Sequence, residues 1–492
     1  MTGPSPQPSP APRAREQLAA ELRRIVGDPY VHAAPSEVIA YSYDGTFQQR
    51  RPDLAVSPAS TAEVAAVVKV AARDSVPIIA RGASSGLAGG TIPERGGIIL
   101  NLARMDRIVE IDTANVCAVV EAGVITLQLQ EEVEKHGLFY PPDPASSRQS
   151  TLGGNVACNS GGPRCLKYGV TRDYVTGLTV VLASGEIVRL GGKLAKNASG
   201  YQLLQLLVGS EGTLGIVTEA ILKLIPLPRS RVTALASFPK LALASQAVAR
   251  IMGSGILPCT LELMDGTTIN VVEDFLHAGL PRDAEALLLL EQDGADEPAA
   301  RRDVEAMAAV CADLGASEVR VAGSAAERDT LWQARRAVSP ALARIRPNKL
   351  GEDIVVPRGQ VPAMIGCIGE VAGRYGLPIP VFGHAGDGNL HPNILFDLRD
   401  PDEVHKVELA ARDIFRAALS LGGTLSGEHG IGSLKREFME EAQGATAIAL
   451  SRAIKQVFDP QNILNPGKLF PTGNGIDGFL AHLPVLAGVT PG

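Results

Sequence analysis

The sequence predicts a mixed α+β chain of two main units, and three observations carry that expectation. At 492 residues the chain is longer than one apolar core ordinarily serves. Helix-period and strand-period stretches alternate along it. The break Pro226-Leu227-Pro228 then divides the alternating region in two.

Taken in order, Met1 to Arg15 is rich in Pro and small residues and lacks the apolar run of a secretory signal. Residues 1–27 are therefore expected to be a disordered tail. Ser60 and Glu63 have capping-box spacing, and Val64, Val67, Val68 and Ala71 follow at helical period. Residues 76–80 form a short apolar strand candidate that runs into a glycine-rich loop, and 98–102 and 116–124 are further strand candidates. Ser184-Gly185 sits between two β-rich arms in 178–190, the pattern of a hairpin. Past the proline break, the leucines at 287–290 are bounded by Glu285 and Glu291 and read as a buried segment. Residues 403–421 read as an amphipathic helix stopped by Gly422-Gly423. The expected domains are 28–228, 229–425, a returning segment 426–470 and a tail 471–492.

Composition excludes several function classes. The net charge is −7 and the basic residues are scattered, so there is no basic face for a nucleic acid. No apolar run reaches the roughly 20 residues of a transmembrane helix. The 6 cysteines include no C-x-x-C pair, which leaves no obvious place for an iron–sulfur cluster or a Cys-rich zinc site. Their wide spacing points to reduced thiols and a cytoplasmic location.

Three glycine-dense stretches suggest a long, flat ligand lying against main chain. The first is Arg81-Gly82-Ala83-Ser84-Ser85-Gly86-Leu87-Ala88-Gly89-Gly90, whose amides can turn toward one anion. It matches neither the dinucleotide G-x-G-x-x-G pattern nor the P-loop. The others are residues 151–162 and Gly209-Ser210-Glu211-Gly212-Thr213-Leu214-Gly215. With the Pro141-Pro142-Asp143-Pro144 turn, their order and spacing resemble the PCMH-type FAD-binding domain of the vanillyl-alcohol oxidase/p-cresol methylhydroxylase superfamily. The closest resemblance is to its branch of glycolate oxidase catalytic subunits and D-lactate and D-2-hydroxyglutarate dehydrogenases.

The resemblance implies a two-part FAD-binding domain followed by a substrate domain built on an antiparallel sheet with helices. It also implies that Arg81, Gly82, Ala83, Ser84, Ser85, Gly86, Leu87 and Gly89 hold the FAD pyrophosphate. Thr151, Gly154, Ala157, Asn159 and Gly161 would line the isoalloxazine and ribityl, and Ile216 and Val217 the adenine side. Pro142, Asp143 and Gly215 join the cofactor set, and Asn465 returns to the flavin site. Residues 81–90 contain no His for covalent attachment, so the FAD is expected to be non-covalent. Cys158 and Cys165 are read as small buried thiols.

The second half carries His384-Ala385-Gly386-Asp387-Gly388-Asn389-Leu390-His391, two imidazoles joined by a segment too rich in Gly and Asp for a helix. Ser426-Gly427-Glu428-His429-Gly430 adds a carboxylate beside a third imidazole, on opposite sides if the chain is extended. Such donors suit Zn2+ first, with Mn2+ or Fe2+ as alternatives. By the resemblance His384, His391 and Glu428 are metal ligands, His429 is the general base and Arg335 binds the substrate carboxylate. Where some dicarboxylate-specific relatives have a Lys, this chain has Gly351-Glu352-Asp353-Ile354, with Lys349 earlier. That departure favours glycolate or D-lactate over D-2-hydroxyglutarate. The expected function is FAD-dependent, metal-assisted oxidation of a small D-2-hydroxy acid, with electrons passing to an acceptor such as a separate iron–sulfur or flavoprotein subunit. The alternatives are a non-catalytic FAD-bearing subunit of an electron-transfer complex or a D-2-hydroxyglutarate dehydrogenase.

Overall fold

Strand Ile78–Arg81 lies parallel to Ile98–Asn101, which is itself parallel to Leu54–Val56, with Val31–His32 antiparallel at the edge. The computed structural model describes residues 12–472. Two compact units divide them. The first comprises the residues up to Ser160, Val170–Pro226 and Glu428 onward; the second comprises Gly161–Gly169 and Leu227–Gly427.

In the first unit, helix Thr61–Asp74 begins where the spacing predicts. The Ser60 hydroxyl accepts from the Glu63 amide (3.2 Å), and the Glu63 carboxylate reaches back to the Ala59 amide (2.8 Å), one residue before the predicted partner. Val64, Val67, Val68 and Ala71 are buried against the parallel strands. A second sheet is antiparallel throughout, in the order Ile108–Asp112, Cys117–Glu121, Ile216–Lys223, Val175–Val181, Ile187–Gly191. Its last two strands form the hairpin expected around Ser184-Gly185.

The expected tail needs a correction. Residues 12–26 form a helix, Pro12–Val26, and only residues 1–11 of the predicted tail lie outside the described residues. Leu18, Leu22 and Val26 recur every four residues and bury one face of that helix in the first unit's core. The surrounding Arg and Glu residues mask this stripe when composition alone is read. Most of the predicted C-terminal tail, from residue 473, also lies outside the described residues.

The second unit is an antiparallel sheet of eight strands. Its order is Glu318–Val321, Ser230–Phe238, Ala286–Gly294, Thr260–Asp265, Val381–His384, Asn389–Phe396 and Asn348–Gly351, and Ile354–Val355 also pairs with Asn389–Phe396. The leucine run lies in the central strand Ala286–Gly294. Leu287 and Leu289 face a cluster with Met264, Ile269, Leu331 and Leu395, so Leu288 and Leu290, also buried, face the other side. Burial on both faces explains a continuous rather than alternating apolar run. Gly161–Gly169 sits here because Lys167 and Tyr168 both bond the Asp293 carboxylate at the end of that strand (2.5 and 2.8 Å). Helix Pro401–Ser420 covers the span predicted for it to within two residues. Among the described residues, no helix is long and apolar enough to cross a membrane.

Leu22 is fully buried. Leu22→Ala should therefore cost about 2–5 kcal/mol, read as a lower denaturant midpoint. An unchanged midpoint would mean that the first helix does not pack.

Candidate active site

The glycine-rich loop leaves the end of strand Ile78–Arg81 with Ser84 in the left-handed region (φ 56°). Among the described residues, no backbone amide from 82 to 87 donates to a protein acceptor. A side chain placed at Gly86 would meet nothing within 4 Å. Main-chain amides left without a protein acceptor, beside open space at Gly86, are donors that fit a pyrophosphate. The Arg81 guanidinium faces inward, donating to the carbonyls of Tyr43 (2.8 Å) and Tyr41 (3.4 Å), so its role here is to hold residues 41–43.

The first and third glycine-dense stretches, and the second as far as Ser160, meet in this unit. Thr151 caps helix Leu152–Cys158, and its hydroxyl lies 2.2 Å from where a Cβ at Gly82 would stand. The amides of Gly209 and Glu211 donate to the carbonyls of Val156 (2.9 Å) and Ala157 (2.8 Å). Asn465 donates from Nδ2 to the carbonyls of Gly90 (2.9 Å) and Glu211 (2.7 Å), while among the described residues its buried Oδ1 has no protein partner. A buried acceptor left open at this point fits a cofactor polar group. Asn159 ends the Leu152–Cys158 helix in the left-handed region, and its Oδ1 accepts from the Arg172 amide (2.9 Å). The Pro142 carbonyl accepts from Gln130 (2.9 Å), fixing the turn that also carries Asp143. Burial, with Glu211 and Asp44 nearby, pushes the Cys158 thiol up to about 12. It is a thiol, not a thiolate.

The segment carrying His429 is clamped in the same unit. The buried Glu211 carboxylate accepts from the amides of Ile431 (2.7 Å) and Gly432 (2.8 Å). Gly432 adopts φ 53°, and a Cβ there would lie 1.9 Å from the Ala88 carbonyl, so only glycine permits this approach to the loop. Ser433 then donates to Ala88 through its amide (3.0 Å) and to Gln48 through its hydroxyl (2.7 Å). The chain bends at Glu428 and His429 and is not extended, so the expected opposite-sided arrangement does not form. The Glu428 carboxylate comes to 3.8 Å from His429 Nε2.

In the second unit, His384 and His391 lie on adjacent strands of a hairpin in which His384 opposes Asn389 and Phe382 opposes His391. Strand alternation puts all four on one face. The turn requires Gly388 (φ 87°), where a Cβ would lie 2.1 Å from the Val356 carbonyl. Both imidazoles are buried, and their Nε2 atoms lie 3.4 Å apart. Two Zn–N bonds of about 2.0–2.1 Å at a tetrahedral angle span about 3.3 Å, so the pair fits a divalent ion. Glu262, directly opposite His384 in register, contacts His384 Nδ1 with one oxygen and accepts from Arg335 Nε (2.6 Å) with the other. Burial would raise the Glu262 carboxyl, but His384 and Arg335 outweigh it and hold it at about 2. The Arg335 guanidinium also covers the Phe382 ring (4.6 Å), and among the described residues its Nη groups make no hydrogen bond. Asp353, fully buried, accepts from Asn389 Nδ2 (2.6 Å), Ser426 Oγ (2.7 Å) and the Gly427 amide (2.9 Å), fixing the chain one residue before Glu428.

Other predicted cofactor residues are distributed over both units. Gly161 belongs to the second unit, not to the first with Thr151 and Gly154. Ile216 points into the first unit's apolar core, and Gly215 packs against Val180. Val217 is buried in the same strand. Glu211, Glu262 and Asp353 received no role from sequence. The available signal was an acidic residue inside an apolar strand for Glu262, and a motif carboxylate among glycines for Glu211.

Residues 52–191 match the family described as FAD binding domain, and residues 227–469 match FAD linked oxidases, C-terminal domain. A glycolate oxidase subunit GlcD from Bacillus subtilis is 48% identical over 88% of this chain and 92% of its own length. The chain belongs to the FAD-linked oxidases. As a member of that family it is an oxidoreductase that uses FAD. The Escherichia coli GlcD subunit is 39% identical over 93% of this FAD-linked oxidase and 92% of its own length. A D-lactate dehydrogenase from Anaerostipes hadrus is 36% identical over 92% of the chain and 95% of its own length. In fold, this oxidase is similar to p-cresol methylhydroxylase, with a TM-score of 0.79 at 18% identity over 95% of this chain and 99% of that one.

Glu211→Ala strands two amides, at about 1–3 kcal/mol each. It should lower the thermal midpoint and the FAD retained through gel filtration, while Glu211→Gln, keeping one acceptor oxygen, should lose less. Wild-type values for the alanine variant would contradict the clamp.

Proposed function

We propose that this FAD-linked oxidoreductase oxidises a small D-2-hydroxy acid, glycolate or D-lactate, to its 2-oxo acid with the help of a divalent metal. The observation that carries the reading is the pair of buried imidazoles 3.4 Å apart on one sheet face, with Arg335 beside them on Glu262. His384, His391 and Glu428 are the proposed ligands, Zn2+ first, with Mn2+ or Fe2+ as alternatives. Three protein ligands leave positions open for substrate, as a catalytic site requires. The names of the relatives, glycolate oxidase subunits and D-lactate dehydrogenases, support the substrate class.

Bound FAD supplies a two-electron acceptor at its N5, and a bound divalent ion supplies Lewis acidity toward the substrate oxygens. Arg335 offers its two Nη groups to the substrate carboxylate, a fork suited to bidentate binding. His429 accepts the 2-hydroxyl proton on a ring nitrogen as the Cα–H bond breaks. Residues 82–87 hold the pyrophosphate through main-chain amides. The lack of a His in residues 81–90 supports a non-covalent flavin. A separate acceptor, such as an iron–sulfur or flavoprotein subunit, takes the electrons onward. The absence of any C-x-x-C pair and the naming of two relatives as subunits support this. Six cysteines with no disulfide among them support a reducing, cytoplasmic setting.

Anaerobic stopped-flow absorbance tests the reading. Glycolate or D-lactate should bleach the oxidised-flavin band, D-2-hydroxyglutarate should act poorly, and chelator should abolish the bleaching. A flavin band that no hydroxy acid bleaches would leave only a non-catalytic FAD-bearing subunit. His429→Ala should keep its FAD and lose about 10²–10⁴-fold in turnover; retained turnover would remove the base assignment.

A further inference from the structure

Glu262 is 1% exposed, and both of its oxygens are engaged, one at His384 Nδ1 and the other at Arg335 Nε. A guanidinium is a donor only and stays charged. An ionised carboxylate beside it is an acceptor only. The group facing Glu262 on its other side must therefore donate, which puts the proton of a neutral His384 on Nδ1. The lone pair is then on Nε2, the atom 3.4 Å from His391 Nε2. The Arg335 guanidinium stacks on Phe382, and the His391 ring is tilted against that same ring (5.4 Å).

We propose that Glu262 is a positioning residue that, locked by Arg335, sets the His384 tautomer that can ligate a metal through Nε2. The inference rests on the reading of His384 and His391 as metal ligands. It makes a prediction that a merely structural role does not. In Glu262→Gln, the amide oxygen must face Arg335, because a guanidinium accepts nothing. The amide NH2 then faces His384 and drives the ring proton to Nε2, where no metal can bind. Removing the guanidinium as well frees the introduced amide to turn its oxygen back to Nδ1–H. The double variant Glu262→Gln/Arg335→Met should thus bind metal better than the single variant. It also leaves no buried charge unpaired, so it remains informative should the single variant fail to fold.

The experiment titrates Mn2+ into chelator-stripped, FAD-loaded protein and reads free Mn2+ by EPR. Glu262→Gln should weaken binding about 10–100-fold, and the double variant should return to within about 10-fold of wild type. Wild-type affinity in Glu262→Gln, or a double variant that binds as poorly as His384→Ala, would overturn the positioning role while leaving the metal site standing. If the wild-type chain binds no Mn2+, the same series is titrated with Zn2+ against a chromophoric indicator; a wild-type chain that binds neither ion, or a His384→Ala variant that binds normally, would overturn the metal reading and this inference with it.

Discussion

The Glu211 carboxylate, buried in the first unit, is answered by two backbone amides, those of Ile431 and Gly432. Burial pushes this carboxyl up while the two amides oppose the shift, and a polar group taken out of water needs such partners. The same residue receives Asn465 on its carbonyl and donates its amide to Ala157. One side chain and its own peptide groups thus join the helix Leu152–Cys158, the returning segment after His429 and the chain near the C-terminus. The glycines on either side are consequences of this constraint. Gly432 needs the left-handed region and close contact with Ala88, which no side chain tolerates.

A comparable arrangement holds the C-terminal segment in register. Lys455, buried at the end of helix Ala445–Phe458, bonds Asp459 and donates to the carbonyls of Thr213 (2.7 Å) and Leu464 (2.8 Å). The Ile463 carbonyl accepts from the Ile78 amide, and the Asn465 amide donates to the Ile78 carbonyl. The strand that launches the glycine-rich loop is therefore extended on one edge by residues almost four hundred positions later. In the second unit the polar groups follow one sheet face. Leu289, Leu287, Met264 and Leu395 form its apolar part. Glu262, His384 and His391 interrupt it where Arg335 supplies the counter-charge. In such a face the Glu262 carboxylate is answered on both oxygens, by His384 and by Arg335.

Much of this was legible in the sequence. Periodicity located the helix after Ser60, the strand entering the glycine-rich loop, the Ser184-Gly185 hairpin and the buried leucine run, because each depends on neighbours within a few residues. The motif order identified the FAD-binding part. Reading failed where composition spoke against pattern. The helix Pro12–Val26 carries one buried residue per turn among charged ones, and a flanking run of prolines made the whole stretch look like a tail.

The sequence by itself determined most of the element types, the glycine-dense stretches, the kind of donors in the second unit and the family that their order marks. Only the tertiary structure decided which carboxylate stands behind which imidazole. Glu262 opposes His384 because strands Thr260–Asp265 and Val381–His384 pair in that register across more than a hundred residues. Likewise Gly161–Gly169 joins the second unit because Asp293 is its partner. Local propensity is a property of neighbouring residues, whereas register and long-range ion pairs are chosen by burial over the whole sheet. A one-residue slip would turn every one of these groups to the other face.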